Sequence, residues 1–329
     1  MKRPGARKDR PASALRRAIA VALTFSLTLG TAILTGCAGG DSTATASGKT
    51  TASAGESTSG PAFEKPALAL TSFNANAAIT GHGGSIDISS IDQGYVVAAG
   101  ESVSRLKFQV SKDDRDYNYD LPNDGTPIFC PLNMGDGGYV FRIMQNTSGN
   151  SYVEITNASA NVVLASEFEP FLRPNVYCTY DAQSASVAKA NELAANAQND
   201  GDVLRNIYNW ITDTISYDTA KAEQLANSAG YVPNPDATLA EGKGICFDYV
   251  SLGAAMLRSQ GIPCKIVTGY VSPDNIYHAW NLVYLEGSWI GVGVNVEANT
   301  WTRIDLTFAA GGAGKYAGDA KEYTDRDTY

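Results

Sequence analysis

The sequence predicts an α+β fold in two parts: a small antiparallel β-sandwich-like domain, then a mixed domain of helices and strands. Three observations carry this expectation. Short apolar alternations broken by turn clusters fill residues 63–182. Near residue 183 the chain becomes Ala-rich, with apolar positions at helical spacing. After a small-residue helix that opens at Cys246, strand-like runs return.

Residues 1–37 read as an export leader. Lys2, Arg3, Arg7, Lys8, Arg10, Arg16 and Arg17 form a basic head, and an apolar run from Ala18 to Leu34 follows. The rival reading is a retained membrane helix, since the run is nearly long enough to span. The ending Leu34-Thr35-Gly36-Cys37 resembles a bacterial lipobox. That resemblance implies cleavage before Cys37 and lipidation of its thiol, which places the protein on the extracytoplasmic face of the cell membrane. Residues 38–62 are mostly Gly, Ser, Thr and Ala and bury too little to fold. They read as a flexible tether, with a reach on the order of 25–30 Å.

The chain has 25 Lys and Arg against 34 Asp and Glu. Without the leader's seven basic residues and one aspartate, 18 face 33, a net of −15. Such a charge argues against nucleic-acid binding.

In the β part (63–182), Leu106, Phe108 and Val110 alternate, as do Tyr139, Phe141 and Ile143. Tyr152–Ile155 and Asn161–Leu164 are further strands. Pro122-Asn123-Asp124-Gly125, Gly135-Asp136-Gly137-Gly138 and Ser148-Gly149-Asn150 mark turns. In the second part (183–329), Ser184–Gln198 predicts a helix. A second runs from about Asp202 to Ile215, with Val203, Ile207, Trp210, Ile211 and Ile215 on one face and Asp200 or Asp202 as N-cap. A third begins at Cys246 and stops before Gly261 and Pro263. Strands follow at Lys265–Val271, His278–Leu285, Trp289–Val294 and Thr300–Ile304. The tail from Gly311 gives one edge strand or frays.

The chemistry lies in Cys246 and His278. The chain has two histidines, and the other, His82, falls in a Gly-rich turn. A free thiol has a pKa of about 8.5, so a nucleophilic cysteine needs help to ionise. A helix start supplies unpaired N–H groups, and Gly242 and Gly244 lead into this one. Gly244 would let a substrate carbonyl approach the backbone, with the Cys246 N–H facing the oxyanion. His278, at a strand start, is the base. Asp305, just after the later strand Thr300–Ile304, is the candidate to hold the imidazole in its working tautomer. Each residue alone also has a bland reading: a buried thiol, an interface histidine, a strand-end turn former.

Four cysteines follow Cys37. An exported protein can hold disulfides, and Cys130 with Cys178 is one open pairing. Cys264 reads as a buried thiol, and a Cys246–Cys264 bond would silence the site.

Gly244-x-Cys246, Arg258-x-x-Gly261-Ile262-Pro263, Gly269-Tyr270, His278-Ala279-Trp280-Asn281 and Asp305-x-Thr307, led by Ile215-Ser216-Tyr217-Asp218, resemble the transglutaminase-like core domain over roughly 183–310. The β part more weakly resembles a domain that precedes this core in bacterial surface lipoproteins. The resemblance implies a papain-like core with Cys246 as nucleophile, His278 as base and acid, and Asp305 as orienting residue. It also makes Tyr217 a candidate oxyanion support. The sequence departs from the pattern after Trp289-Ile290-Gly291-Val292, where Gly293 stands in place of the aspartate. Residues 293–300 read as an inserted hairpin turn that delays Asp305, with Asn295 as the alternative third member.

These residues imply attack on an amide and a thioester intermediate, resolved by water or by a lysine amine. The expected substrate is a peptide or protein, cell-wall peptides among them, with a lean to hydrolysis. The reading from a different class is a non-catalytic surface adhesion or scaffold module. No His/Cys cluster has metal-ligand spacing and no phosphate-cradling glycine loop occurs, so no metal and no cofactor are expected.

Overall fold

The computed structural model describes residues 56–272, 275–291, 294–311 and 322–329. The leader, Cys37 and tether residues 38–55 lie outside the described residues. The end of the expected tether is ordered by polar contacts that composition does not announce. Ser57–Ser59 form a short strand, β1, opposite Ser288–Ile290. Trp289 Nε1 donates to Glu56 Oε1 at 2.9 Å, and Thr58 Oγ1 donates to Asp202 Oδ1 at 2.7 Å.

Eight strands follow: β2 (Ile79–Gly81), β3 (Gly84–Asp87), β4 (Tyr95–Gly100), β5 (Leu106–Lys112), β6 (Arg115–Leu121), β7 (Ile128–Pro131), β8 (Gly137–Ser148) and β9 (Ser151–Val162). They make two antiparallel sheets, ordered β2-β3-β4-β7 and β6-β5-β8-β9. Ile86, Val96 and Ala98 from one sheet share a core with Phe108, Val110, Phe141 and Ile143 from the other. The two strands expected at 152–155 and 161–164 are one, β9. Thr156, Ala158 and Val162 are buried while Asn157, Ser159 and Asn161 are exposed, so the period of two runs from Thr156 to Val162.

The second core belongs to the remaining elements. α1 (Ala185–Ala194) is shorter than expected. α2 (Asp200–Thr214) is capped by Asn199, not by Asp200 or Asp202. Asn199 Oδ1 accepts from the Asp202 N–H at 3.0 Å. Asp200 instead takes the Glu286 N–H at 2.7 Å, and Asp202 pairs with Arg205 at 2.8 Å. Then come β10 (Ser216–Tyr217), α3 (Thr219–Leu225), α4 (Pro235–Glu241), β11 (Lys243–Gly244) and α5 (Cys246–Arg258). α3 buries no residue, so it left no apolar period to read.

α5 is buried on nearly all sides. Small residues allow this: a Cβ on Gly253 would fall 2.6 Å from Leu306 Cδ1. Gly261, with φ +80°, ends the turn after the helix. β12 (Cys264–Val271) and β13 (Ile276–Val283) form an antiparallel pair. Asn281 Nδ2 fastens α5 to it, donating to Val250 O and Lys265 O at 3.1 Å each. β14 (Ser288–Gly291) and β15 (Val294–Val296) form a side hairpin, so Trp289 lies in the excursion rather than in the main sheet. Residues 292–293 lie outside the described residues. β16 (Thr302–Ile304) returns to β13, α6 (Leu306–Ala310) follows, and β17 (Tyr323–Thr328) pairs with β12. The tail thus ends on an edge strand, in a sheet ordered β16-β13-β12-β17. Arg258, 1% exposed, donates to the carbonyls of Cys264, Arg173 and Tyr329 and ties helix, inter-lobe link and β17 together.

All four cysteines among the described residues are free thiols. Cys130 lies in the β core and Cys178 in the second core, so they do not pair. Cys246 and Cys264 do not pair either.

Candidate active site

Cys246 is the first helical residue of α5, where backbone N–H groups lack intrahelical partners. The loop before it is held from two sides. Tyr217 pairs with Gly244 in a short parallel bridge, and the Asp218 N–H donates to Gly244 O at 2.9 Å. Below the loop lies Asp248, which is fully buried. Its Oδ2 accepts from the Ile245 N–H at 2.8 Å and from Lys221 Nζ at 2.7 Å, and its Oδ1 accepts from the Tyr231 hydroxyl. A Cβ on Gly244 would sit 2.5 Å from Asp248 Cβ, so glycine is needed there for close approach.

His278 stands on β13 opposite Gly269. Phe308 stacks on its ring, with centroids 4.4 Å apart and an interplanar angle of 15°. Nε2 lies 2.8 Å from Asp305 Oδ2. The Cys246 side chain lies close enough to the same ring to raise its pKa. Burial alone would lower the pKa of His278. The hydrogen bond to Asp305 and the neighbouring Cys246 outweigh it and raise the pKa from 6.5 to about 9.

Asp305 is 2% exposed. It follows β16, which pairs beside β13, and it caps α6 by accepting from the Phe308 N–H at 3.0 Å. Its Oδ2 also accepts from the Tyr323 hydroxyl at 3.0 Å.

The structure therefore brings Cys246, His278 and Asp305 into one contact chain. Tyr217 is adjacent and 48% exposed. Its phenol pKa is raised, by partial burial first and then by the neighbouring Cys246. Asp305, not Asn295, takes the ring nitrogen. Asn295 is exposed on β15, where its amide donates to Glu297 Oε1 at 3.4 Å, because the hairpin folds onto β14. His82 is in the β lobe, where Nδ1 donates to Ile155 O at 3.1 Å. Among the described residues no three His, Cys, Asp or Glu side chains gather for a metal ion.

Sequence reasoning passed over Asp248, Lys221, Tyr231, Phe308 and Tyr323. An acid three residues after the helix N-cap was a readable signal for Asp248. Nothing in the local sequence announced Tyr323, which reaches the site only through the β17–β12 pairing.

Residues 187–294 match the family model of the Transglutaminase-like superfamily. The match includes Cys246 and His278 and stops short of Asp305, within the side hairpin. Human kyphoscoliosis peptidase is 30% identical over 134 residues, which cover 37% of this chain and 20% of that protein. The mouse protein is 32% identical over 109 residues, covering 30% and 16%. The chain thus spans about a fifth or less of the length of these curated relatives. Among solved structures, the periplasmic domain of TgpA from Pseudomonas aeruginosa aligns with 74% of this chain and 76% of that chain, at 14% identity and a TM-score of 0.31. Red sea bream transglutaminase aligns with 64% and 47%, at 11% identity and a TM-score of 0.28. The chain carries a transglutaminase-like domain within an α+β fold.

Proposed function

We propose that this transglutaminase-like domain is a cysteine acyl-transfer enzyme acting on peptide or protein amides, with Cys246 as nucleophile, His278 as base and acid, and Asp305 as orienting group. The observation that carries the reading is the contact chain from the Cys246 thiol through the His278 ring to the Asp305 carboxylate. Cys246 passes its proton to His278, and the sulfur attacks the carbonyl carbon. The carbonyl electron pair moves onto oxygen, where the Cys246 N–H stabilises it and Tyr217 lends support. The intermediate collapses, the C–N bond breaks, and the amine leaves with the proton from His278. A thioester remains. Water then loses a proton to His278 and attacks the thioester carbon. The acid leaves, and the proton returns to sulfur.

Hydrolysis is the favoured outcome. The curated relatives are named peptidases, and Cys246 is partly open to solvent. The leader and Cys37 support a lipid-anchored protein on the extracytoplasmic face of the membrane, with surface peptides within reach, those of the cell wall among them.

Iodoacetamide at neutral pH tests the site. Cys246 is expected to react well before the buried Cys130, Cys178 and Cys264. No reaction at a Cys246 shown to be reduced would leave the adhesion module as the better reading. Reaction products of a glutamine-containing peptide, with and without an added primary amine, then test hydrolysis. Products that carry the amine would make the protein a cross-linking γ-glutamyltransferase instead.

A further inference from the structure

Asp305 takes more donors than an imidazole partner requires. Oδ2 alone accepts from His278 Nε2 at 2.8 Å and from the Tyr323 hydroxyl at 3.0 Å. Oδ1 is already used by the Phe308 N–H. The carboxylate is buried, so protein groups rather than bulk water set its charge distribution. One of the two donors on Oδ2 belongs to the reacting ring. The other comes from the edge strand β17.

Tyr323 is fixed in place by contacts that do not involve its oxygen. Its ring meets Trp280 edge-on, at 4.9 Å between centroids and 80° between planes. The Arg303 guanidinium lies 3.6 Å over the ring centroid. Its backbone pairs with Val271. A phenylalanine would keep all three. Its hydroxyl donates to Asp305.

We propose that Tyr323 is a positioning residue of this acyl-transfer site: its hydroxyl fixes Asp305 Oδ2 and shares the charge that this oxygen offers to His278. The inference rests on the reading of the site given above. A hydrogen bond to a carboxylate stabilises its negative charge. Less of that charge then holds the proton on the imidazole. His278 must accept a proton from Cys246 and release one to the leaving amine, and a ring that holds its proton too firmly is a poor acid. The titratable groups in contact with the ring are Cys246 from α5 and Asp305 after β16. Tyr323 from β17 acts through Asp305, and Arg303 from β16 lies over the Tyr323 ring. Tyr208 of α2 feels the charge of Asp305, and Tyr217 of β10 that of Cys246. Phe308 from α6 and Trp280 from β13 stack on the ring and carry no charge.

Tyr323→Phe removes a single oxygen. The chain has two histidines, so NMR of the ring carbons can follow His278 and His82 separately, with His278→Gln as the assignment. In the variant the His278 titration midpoint is expected to rise by about half a unit to one unit, with His82 unmoved. The pH profile of Cys246 alkylation should follow the shifted midpoint. A monofluorinated tyrosine at 323 keeps the ring and is a stronger donor. It should move the midpoint down, and it serves alone if Tyr323→Phe does not fold. An unmoved His278 midpoint in the folded variants, or a shift of the same sign in both, overturns the proposal. The titration does not depend on turnover. Failure of the wild-type protein to acylate would therefore count against the acyl-transfer reading alone.

Discussion

Two buried carboxylates serve this site, and they are built alike. Asp248 accepts from a backbone N–H, a tyrosine hydroxyl and a cation: Ile245, Tyr231 and Lys221. Asp305 accepts from Phe308, Tyr323 and His278 in the same three roles. The cation is the difference. Burial works against the Lys221 charge, but the Asp248 hydrogen bond outweighs it and raises its pKa further, so the ammonium stays charged throughout the working range. His278, raised to about 9, can still exchange its proton. One donor set gives a fixed brace when the cation is lysine and, in the proposed mechanism, a proton-handling pair when it is histidine. The brace holds the loop before Cys246, and the pair faces its thiol.

Removing the charge from each carboxylate should separate these roles. Asp305→Asn is expected to lower the acylation rate by on the order of 10³–10⁴-fold, because an amide favours the wrong imidazole tautomer. A rate within tenfold of wild type, read by single-turnover kinetics, would remove Asp305 from the working pair. Asp248→Asn should act on stability instead. It leaves the Lys221 ammonium facing a neutral amide, at a cost of about 2–4 kcal/mol after allowance for the partial exposure of that lysine. Urea unfolding measures this, and an unchanged midpoint would mean that the brace contributes nothing.

The pair should also make stability depend on pH. The folded pKa of His278 lies above its unfolded value of 6.5. Its contribution is therefore fully present below pH 6.5 and is lost as pH rises towards 9. The loss is up to about 3 kcal/mol. His278→Gln should flatten that part of the stability curve, and a curve equally steep in the variant would assign the slope to other groups. Smallest of all is Tyr231→Phe, expected to cost about 1.5–2 kcal/mol for one hydrogen bond to a charged acceptor. A loss several times larger, again in urea, would show that the α3 segment depends on this contact for its fold.

The same contrast explains what could be read in advance. Cys246 opens α5, and the small residues of that helix, the Gly261-Ile262-Pro263 stop and the β13 pattern after His278 are local signals. Each depends on neighbours in sequence, so each was legible. Asp305 was legible because β16 is the strand beside β13, although the β14–β15 hairpin postpones it. What was missed depends on distant partners. α3 buries nothing and shows no amphipathic period. Tyr323 reaches Asp305 through a strand pairing, and Asp248 is held by two side chains, Lys221 and Tyr231, on a polar segment. β1 looked like tether because its Ser and Thr residues are unremarkable until Asp202 and β14 meet them. Asn199 displaced Asp200 as helix cap because Asp200 was already engaged by the turn at Glu286 and Gly287.

The central claim is that Cys246 carries an acyl group during turnover. Mass spectrometry of the protein, quenched in acid seconds after mixing with a glutamine-containing peptide, tests this directly. The account predicts an acyl adduct on the fragment that contains Cys246, released by hydroxylamine and absent from Cys246→Ala. An unmodified Cys246 fragment in a sample that cleaves or cross-links the peptide would contradict it.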